Sequence, residues 1–350
     1  MAEASSGAEL REPTLDDVIA ARGRLLGVVR RTPLWPLGIE TPGGHPVFVK
    51  PENLQAIGSF KIRGALNFLA NMNPSDRQRG VVAQSSGNHA QGVAAAARHF
   101  GVSATIVIPE GAPELKVQNT RALGAKVVRC ENTQEARERT VNQLAEETNA
   151  TIVPPYDHPW IVAGQGTVGA EIVEDLPDVA NVIAPIGGGG LVTGVGLAVR
   201  SLSHGAQVIG VEPELAADAH DSLQKGERQR WEAEQVNRTL ADGVRTQQIG
   251  QLNFQLMQKH LAGVVLVEEE RLARNVAWYA TNAKLVVEPT GTLSLGAFQR
   301  LTEEGTVGGV ALKPGPTVLV VSGGNIDPSM LSDILSRVAA GAADEYPGQK

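Results

Sequence analysis

The stretch that decides the fold is Val182-Ile183-Ala184-Pro185-Ile186-Gly187-Gly188-Gly189-Gly190-Leu191, where an apolar run ends in four glycines. The run predicts a buried strand over residues 181–186, and the apolar residues that follow the glycines predict a helix over residues 191–201. Residues without a Cβ let backbone N–H groups converge on an anion, and the start of a helix favours negative charge. The stretch therefore predicts a phosphate cradle, with a flexible turn as the alternative. No Gly-Lys-Ser/Thr follows, so it is not a Walker loop.

Short apolar runs and longer helical patterns alternate on both sides of this stretch. Further strands are predicted at residues 47–49, 81–84, 104–108, 126–129, 151–153, 208–211, 264–267 and 318–321. Further helices are predicted at residues 60–72, 90–100, 114–123, 134–148, 167–175 and 269–283. Such alternation is typical of βαβ units and predicts an α/β fold with parallel sheets.

Two proline-containing segments, Asn73-Pro74 and Pro154-Pro155, interrupt this alternation. We expect them to delimit a small α/β domain, residues 78–157. This domain would be inserted into a large discontinuous domain formed by residues 1–77 and 158–350, within the size range of ordinary domains.

Composition excludes several classes of protein. The 350 residues carry a formal net charge of −7 with no long Lys/Arg block, which disfavours nucleic acid as a partner. The uncharged run at residues 179–199 contains six glycines and a proline, so a membrane span is not expected. No apolar stretch of signal-peptide length begins the sequence. The single cysteine, Cys130, excludes an intramolecular disulfide and favours a reducing compartment, so we expect a cytoplasmic protein.

A second glycine-rich segment, Gly164-Gln165-Gly166-Thr167-Val168-Gly169, matches the dinucleotide-binding pattern G-x-G-x-x-G. That pattern requires a strand directly before it, and residues 159–163 make a poor strand. We therefore expect these small residues to allow close helix packing rather than to bind a nicotinamide cofactor.

Lys61 lies in the segment Gly58-Ser59-Phe60-Lys61-Ile62-Arg63-Gly64, at the start of a predicted helix with Ser59 as its N-cap. The positive helix end, the nearby Arg63 and partial burial all favour the neutral amine. A neutral lysine is a nucleophile toward an aldehyde. The alternative is an ordinary solvated lysine.

Two polar segments follow predicted strands. The segment Ser85-Ser86-Gly87-Asn88-His89 precedes a helix and offers hydrogen-bond donors suited to a carboxylate. Ser322, in Ser322-Gly323-Gly324-Asn325, follows the strand at residues 317–321, where open α/β sheets bind ligands. Taken alone, the second segment is more typical of an ordinary turn.

Together, these motifs resemble the serine/threonine dehydratase and serine racemase family, and the resemblance runs from about Leu15 to Val338. Its members are fold-type II enzymes of pyridoxal 5′-phosphate, similar to the tryptophan synthase β chain. The resemblance implies open, twisted, mostly parallel sheets in a large and a small domain. It also implies a homodimer and a small hydroxy amino acid as substrate.

The resemblance also implies roles for individual residues. Lys61 would hold the cofactor covalently and move the α-proton of the substrate. The other implied cofactor contacts are Phe60, Asn88 at the ring hydroxyl, Ser322 at the pyridine nitrogen, and Gly187, Gly188, Gly189, Gly190 and the Leu191 amide at the phosphate. The implied contacts to the substrate are Ser85, Ser86, Asn88, His89 and, in the racemase branch, Arg137.

A divalent-cation loop is implied for the segment Glu212-Pro213-Glu214-Leu215-Ala216-Ala217-Asp218. Its ligands would be the Glu212 and Asp218 carboxylates and the Ala216 carbonyl. Oxygen ligands of this kind suit Mg²⁺, with Ca²⁺ or Mn²⁺ as alternatives. Two carboxylates in a polar loop can equally be solvated.

The predicted reaction is dehydration and deamination of L-threonine and/or L-serine to a 2-oxo acid and ammonia. Ser86 and Arg137 favour the alternative, a serine racemase or 3-hydroxyaspartate dehydratase in which Lys61 and Ser86 act on opposite faces of the substrate. Gln84 and the run Glu288-Pro289-Thr290-Gly291-Thr292 depart from the pattern of that family, the second by a bulkier threonine. Only about twelve residues follow Val338, so we expect no regulatory domain.

Overall fold

Two β-sheets form the scaffold of the computed structural model, which describes residues 11–85, 87–112 and 114–341. The larger sheet has the strand order β1-β2-β10-β7-β8-β9, and all its neighbouring pairs are parallel except β1 with β2. Its strands are β1 (Trp35–Glu40), β2 (Pro46–Pro51), β7 (Asn181–Pro185), β8 (Gln207–Pro213), β9 (Gly263–Val267) and β10 (Thr317–Val321).

The smaller sheet is parallel throughout and has the order β5-β4-β3-β6. Its strands are β3 (Val81–Gln84), β4 (Ala104–Pro109), β5 (Lys126–Cys130) and β6 (Thr151–Ile152). The predicted α/β fold with mostly parallel sheets is confirmed. The four strands of the smaller sheet all lie between residues 81 and 152, which is compatible with a small domain at residues 78–157. Those domain boundaries stay a prediction.

Helices connect the strands and cover the sheets. They are α1 (Leu15–Leu25), α2 (Lys61–Asn71), α3 (Pro74–Gln78), α4 (Asn88–Phe100), α5 (Glu114–Ala122), α6 (Gln134–Thr148), α7 (Pro159–Asp175), α8 (Gly190–Leu202), α9 (Asp218–Lys225), α10 (Ala233–Val236), α11 (Gln251–His260), α12 (Glu269–Trp278), α13 (Leu293–Glu304) and α14 (Pro328–Ala339). One turn of π-helix, Tyr279–Ala283, extends α12. In the part of the chain that the structure describes, none of the helices combines the length and apolar character needed to cross a bilayer.

Apart from its edge strand β1, the larger sheet is buried on both faces, which explains the continuous apolar runs of its inner strands. Successive strand residues point to opposite faces. Ile183 belongs to the core cluster that includes Phe298 of α13, whereas Val182 belongs to the cluster that includes Val192 of α8. The carboxyl ends of β7, β8 and β10 meet at one edge of this sheet, which is where such folds bind ligands.

Helix α7 begins at Pro159, eight residues before the predicted start. His158 caps its first turn, and proline is favoured at the first helical position. The segment at residues 164–169 therefore lies inside a helix. A Cβ on Gly166 would come within 3.0 Å of the Gly194 carbonyl oxygen in α8. The predicted packing role of this segment is confirmed.

Candidate active site

The segment before Lys61 lies directly beside the segment that follows β10. The Phe60 N–H donates to the Ser322 carbonyl at 3.0 Å, and the Gly324 N–H donates to the Gly58 carbonyl at 2.9 Å. These backbone hydrogen bonds bring the start of α2 and the carboxyl end of β10 together. Lys61 and Ser322 are 261 positions apart in the sequence, yet their segments lie side by side.

Lys61 is the first residue of α2, and its Nζ donates to the Pro155 carbonyl at 2.8 Å. Nζ also lies 5.3 Å from the centre of the Phe60 ring. Burial lowers the pKa of the Lys61 amine to about 8, which increases its neutral fraction at physiological pH. The side chain of Ser59 does not cap α2, so the predicted N-cap is wrong.

Arg63 does not act on Lys61 in the way the sequence suggested, because its charge is neutralised by two buried carboxylates. Its guanidinium donates to both oxygens of Glu52, at 2.8 Å each, and to both oxygens of Glu171, at 2.7 and 2.9 Å. Lys50 completes the cluster with a 2.7 Å contact to Glu171. Two cations and two anions therefore hold α2, β2 and α7 together behind the reactive lysine.

The Ser322 hydroxyl is buried and has no hydrogen-bond partner among the described residues. A buried polar atom without a partner costs free energy, so such atoms are uncommon unless they serve a bound group. A ring nitrogen is a suitable partner for a hydroxyl. This atom fits the nitrogen contact that the sequence implied for Ser322.

The four glycines connect β7 to α8 with a tight backbone turn. Gly189 has a φ of +99°, which glycine adopts readily, and α8 begins at Gly190. A Cβ on Gly188 would lie 2.1 Å from the ring of Tyr156. The first N–H groups of a helix have no acceptor within the helix, so those at the start of α8 remain available to an anion.

Asn253 binds the glycine loop through its side-chain amide, a role that no local sequence pattern indicates. Its Nδ2 donates to the Gly188 carbonyl at 2.8 Å and to the Tyr156 carbonyl at 3.3 Å, while its Oδ1 accepts from Thr193 at 3.0 Å. Asn253 lies in α11, a helix that is not among those predicted from the sequence. The many polar residues of α11 do not indicate that one of them, Asn253, makes buried hydrogen bonds to the glycine loop.

Asn88 begins α4, and its amide is oriented by two neighbours. Its Nδ2 donates to Glu288 at 2.8 Å, and its Oδ1 accepts from Asn325 at 2.7 Å. Burial, with the Asp242 charge adding, raises the pKa of Glu288 to about 7. One N–H of Asn88 remains for a ligand. Ser85 orders the preceding loop, since its hydroxyl accepts from the Gly87 N–H at 3.2 Å.

His89 is buried, and its Nε2 lies 3.1 Å from the Val153 carbonyl. Burial, with the Lys61 charge adding, lowers its pKa to about 3, so the ring is neutral. A neutral ring that donates through Nε2 has no second N–H to offer a carboxylate. The backbone N–H of His89, at the start of α4, is therefore the group suited to the predicted contact.

Three further residues are singled out by the sequence. Ser86 lies outside the described residues. Arg137 is half-buried in α6, and its Nε donates to the Thr133 carbonyl at 3.2 Å, one turn back in the chain. The bulkier Thr290 is buried, and its hydroxyl accepts from the Gly243 N–H at 2.9 Å.

Glu212 and Asp218 lie at the end of β8 and the start of α9, and each is 1% exposed. Glu212 accepts from the Ala219 N–H at 3.0 Å and from the His220 N–H at 2.7 Å. Burial, with the Asp218 charge adding, raises the pKa of Glu212 well above its usual value. Burial raises the pKa of Asp218 to about 7. The described residues contain no group of three His, Cys, Asp or Glu side chains that could hold a metal ion.

Known proteins are similar to this chain over most of its length. A family model described as "Pyridoxal-phosphate dependent enzyme" matches residues 25–323. L-threonine ammonia-lyase of Thermotoga maritima is 41% identical over 326 residues, which cover 93% of this chain and 78% of that protein. L-threo-3-hydroxyaspartate ammonia-lyase of Saccharomyces cerevisiae is 38% identical, with coverage of 93% and 97%. The solved structure of maize serine racemase matches with a TM-score of 0.84 and 30% identity, and covers 95% of this chain and 99% of that one.

Proposed function

The chain belongs to the family of pyridoxal-phosphate-dependent enzymes, and from this premise we propose that it is an ammonia-lyase for L-threonine, L-serine or both. One water leaves the amino acid and one is taken up, so the products are a 2-oxo acid and ammonia. The observation that carries the proposal is the Lys61 amine, which is held at 2.8 Å from Pro155 with a pKa of about 8. The segment before Lys61 is hydrogen-bonded to the backbone of Ser322, whose hydroxyl is buried, at the same sheet edge as the glycine cradle.

The cofactor fits the residues around Lys61. The N–H groups at Gly187–Leu191 would hold the phosphate, Ser322 the pyridine nitrogen, and Asn88 the ring hydroxyl, with Phe60 beside the ring. The Ser322 hydroxyl has no partner among the described residues, which supports its assignment to the pyridine nitrogen. When bound, pyridoxal phosphate supplies an aldehyde that condenses with amines and a ring that withdraws electrons from the substrate α-carbon.

The residues of the chain supply proton transfer and orientation. The neutral Lys61 Nζ accepts the α-proton, a role that needs a pKa near the working pH. Ser85, Ser86, Asn88 and the His89 backbone N–H would receive the substrate carboxylate at the start of α4. A serine hydroxyl cannot keep the pyridine nitrogen protonated as a carboxylate would, so electron withdrawal is moderate. Moderate withdrawal favours prompt loss of a β-hydroxyl group.

A serine racemase or 3-hydroxyaspartate dehydratase is the second candidate, because Ser86 is a hydroxyl residue in the segment implied to face the substrate. In this alternative Lys61 and Ser86 exchange the α-proton on opposite faces, and Arg137 contributes to the substrate site. Similarity to maize serine racemase and to a hydroxyaspartate ammonia-lyase supports keeping it open.

We also propose a divalent-cation site, for Mg²⁺ or else Ca²⁺ or Mn²⁺, at Glu212, Asp218 and the Ala216 carbonyl. Asp218 Oδ2 is buried without a hydrogen-bond partner among the described residues, and the raised pKa values of both carboxyls show that burial opposes their charge. Without a cation, the folded protein should lose stability as pH rises from about 4 to about 7, because it then holds a proton that the unfolded chain has released. A bound cation offsets this cost.

The metal proposal is tested by thermal unfolding after treatment with a chelator. Adding Mg²⁺, Ca²⁺ or Mn²⁺ should raise the unfolding temperature of the wild type. Glu212→Gln should need at least a tenfold higher cation concentration for the same rise. Asp76→Asn, at an exposed carboxylate, serves as the control. An unchanged response in Glu212→Gln would remove the site.

A homodimer is our proposal for the assembly. The apolar side chains of Leu54 and Val286 are 39% and 52% exposed, and Asn53 joins their segments by a 3.0 Å hydrogen bond to the Val286 carbonyl. Sedimentation at several concentrations tests this. The single thiol, Cys130, supports the cytoplasmic location proposed from the sequence.

The reaction is tested by incubating the holoenzyme with L-serine, D-serine, L-threonine and the 3-hydroxyaspartates, with and without Mg²⁺. Formation of 2-oxo acid and inversion at the α-carbon are both measured. The proposal predicts 2-oxo acid from L-threonine or L-serine. Ser86→Ala should abolish any inversion and largely retain elimination from the L-substrate, whereas equal loss of both would contradict the two-face assignment.

A further inference from the structure

A group of basic side chains lies away from Lys61, at the edge of the larger sheet where β7, β8 and β10 begin. A cleft of about 170 Å³ opens here beside the last turns of α8 and α11. Its ionisable lining residues are Arg200, Lys259, His260 and Lys313. No Asp or Glu is among the described residues that line the cleft, although the chain as a whole carries a net charge of −7.

Two of these cations are bound only to neutral groups among their described hydrogen-bond partners. Arg200 donates to the Ala206 carbonyl at 2.9 Å, and Lys313 donates to the Gly205 carbonyl at 3.0 Å. Both contacts fix the side chain against the same loop without neutralising its charge. Both cations line the cleft and have N–H groups left to donate to a ligand, since a guanidinium has five N–H groups and an ammonium three.

A single carboxylate is close enough to pair with the group within the described ranges. Lys259 contacts Glu12 at 2.5 Å, and both side chains are about half exposed, so solvent weakens this pair. Burial and the charges of Lys259 and Arg200 lower the pKa of His260, against the opposite effect of Glu12. The imidazole therefore lies within the field of both cations.

We propose that this cleft binds a tetrahedral oxyanion of the phosphate class. Arg200 and Lys313 repel each other, and none of their described hydrogen-bond partners is a carboxylate. A dianion that accepts hydrogen bonds from both side chains, beside His260, offsets this repulsion. The cavity has room for a phosphate and a few further atoms. The ligand is therefore inorganic phosphate or the phosphoryl group of a small metabolite.

The cleft connects to the cofactor region through two helices. Helix α8 runs from Gly190 in the glycine loop to Leu202 beside the cleft, a length of roughly 20 Å. Helix α11 carries Asn253, which holds the glycine loop, and ends at His260 in the cleft. An anion in the cleft would contact the last turns of both helices through the side chains of Arg200 and His260. A ligand that binds only the folded state stabilises it, so the anion should raise the unfolding temperature of the holoenzyme. The proposal does not depend on which reaction the enzyme catalyses.

The test measures thermal unfolding of the holoenzyme and calorimetric binding at constant ionic strength. The arms contain inorganic phosphate, glycerol 3-phosphate or sodium chloride. Saturable binding of phosphate, absent with chloride, is expected, and Lys313→Gln should weaken it at least tenfold. Arg98→Gln, which removes a positive charge from α4, should leave it unchanged. Tighter binding of glycerol 3-phosphate than of phosphate would identify a phosphomonoester as the ligand.

A second measurement covers the case in which Lys313→Gln unfolds. In the wild type, bound phosphate should raise the pKa of His260, measured by NMR, against the lowering effect of Lys259 and Arg200. Equal stabilisation by chloride, equal phosphate binding in Lys313→Gln and wild type, or a His260 pKa that phosphate does not change would each overturn the proposal.

Discussion

The Nζ atom of Lys61 lies 2.8 Å from the backbone carbonyl oxygen of Pro155, between the start of α2 and the segment that leads into α7. The carbonyl accepts a hydrogen bond from either protonation state of the amine, while burial of Nζ favours the neutral state. The contact therefore positions the Lys61 amine without a carboxylate that would favour its charged form.

The first prediction follows from the Lys61 pKa of about 8. In the apo protein, reductive methylation of Lys61 should rise about tenfold per pH unit below 8 and level off above it. Lys126 is exposed, and the reactivity of an ordinary lysine keeps rising toward about pH 10.4. Mass spectrometry of the two peptides gives both profiles. Parallel profiles for the two lysines would contradict the proposed neutral amine.

Ser322→Ala separates a ligand role from a structural one. The hydroxyl has no hydrogen-bond partner among the described residues, so the apo variant should unfold at nearly the wild-type temperature. Turnover should fall about tenfold, since a lost hydrogen bond to a ligand costs about 1–1.5 kcal/mol. The absorption spectrum of the bound cofactor should also change.

The matched control for this variant is Ser294→Ala. The Ser294 hydroxyl is buried and donates to the Val320 carbonyl at 3.0 Å. Its removal should lower stability by about 1 kcal/mol and leave the cofactor spectrum unchanged. Wild-type turnover and spectrum in Ser322→Ala would count against the assignment of Ser322.

Gly188→Ala tests the glycine cradle. The new Cβ would lie 2.1 Å from the Tyr156 ring, so either the loop or the ring must move. We expect at least tenfold weaker cofactor binding, measured by equilibrium dialysis. Gly23→Ala is the control, because nothing lies within 4 Å of its Cβ and alanine stabilises a helix by about 0.5–1 kcal/mol. Equal cofactor affinity in both variants would rule out a tight cradle at Gly188.

Arg63→Met tests the buried ionic cluster behind Lys61. The variant leaves Glu52 without its guanidinium partner and Glu171 with Lys50 alone. Loss of one partner of a buried pair costs about 3–5 kcal/mol, which denaturant unfolding of the apo protein would measure. Arg79→Gln breaks an exposed pair with Asp76 and should cost less than about 1 kcal/mol. Comparable losses in the two variants would show that the cluster contributes no more than a surface pair.

The sequence was sufficient for the parts of the site that are local motifs. Lys61, the glycine loop and Ser322 each follow or begin a regular element, and the family they resemble is confirmed by the match over residues 25–323. The predicted start of α7 lies eight residues too late, because proline disrupts helix interiors but is favoured at the first helical position, which Pro159 occupies. The site roles of the individual residues stay predictions.

Other contacts could not be read from the sequence because they depend on tertiary structure. Pro155, Tyr156 and Asn253 reach the site from segments about 30 to 100 positions away from the residues they contact. Arg63 looked like a neighbouring charge that acts on Lys61, and only the structure shows that Glu52 and Glu171 neutralise it. Pairing between distant charges leaves no local pattern.

The central claim is that the Lys61 amine binds the cofactor covalently. The most direct test is borohydride reduction of the holoenzyme, followed by proteolysis and mass spectrometry of the peptide that contains Lys61. The account predicts a stable pyridoxyl phosphate adduct on Lys61. An unmodified Lys61 peptide, or an adduct on a different lysine, would contradict it.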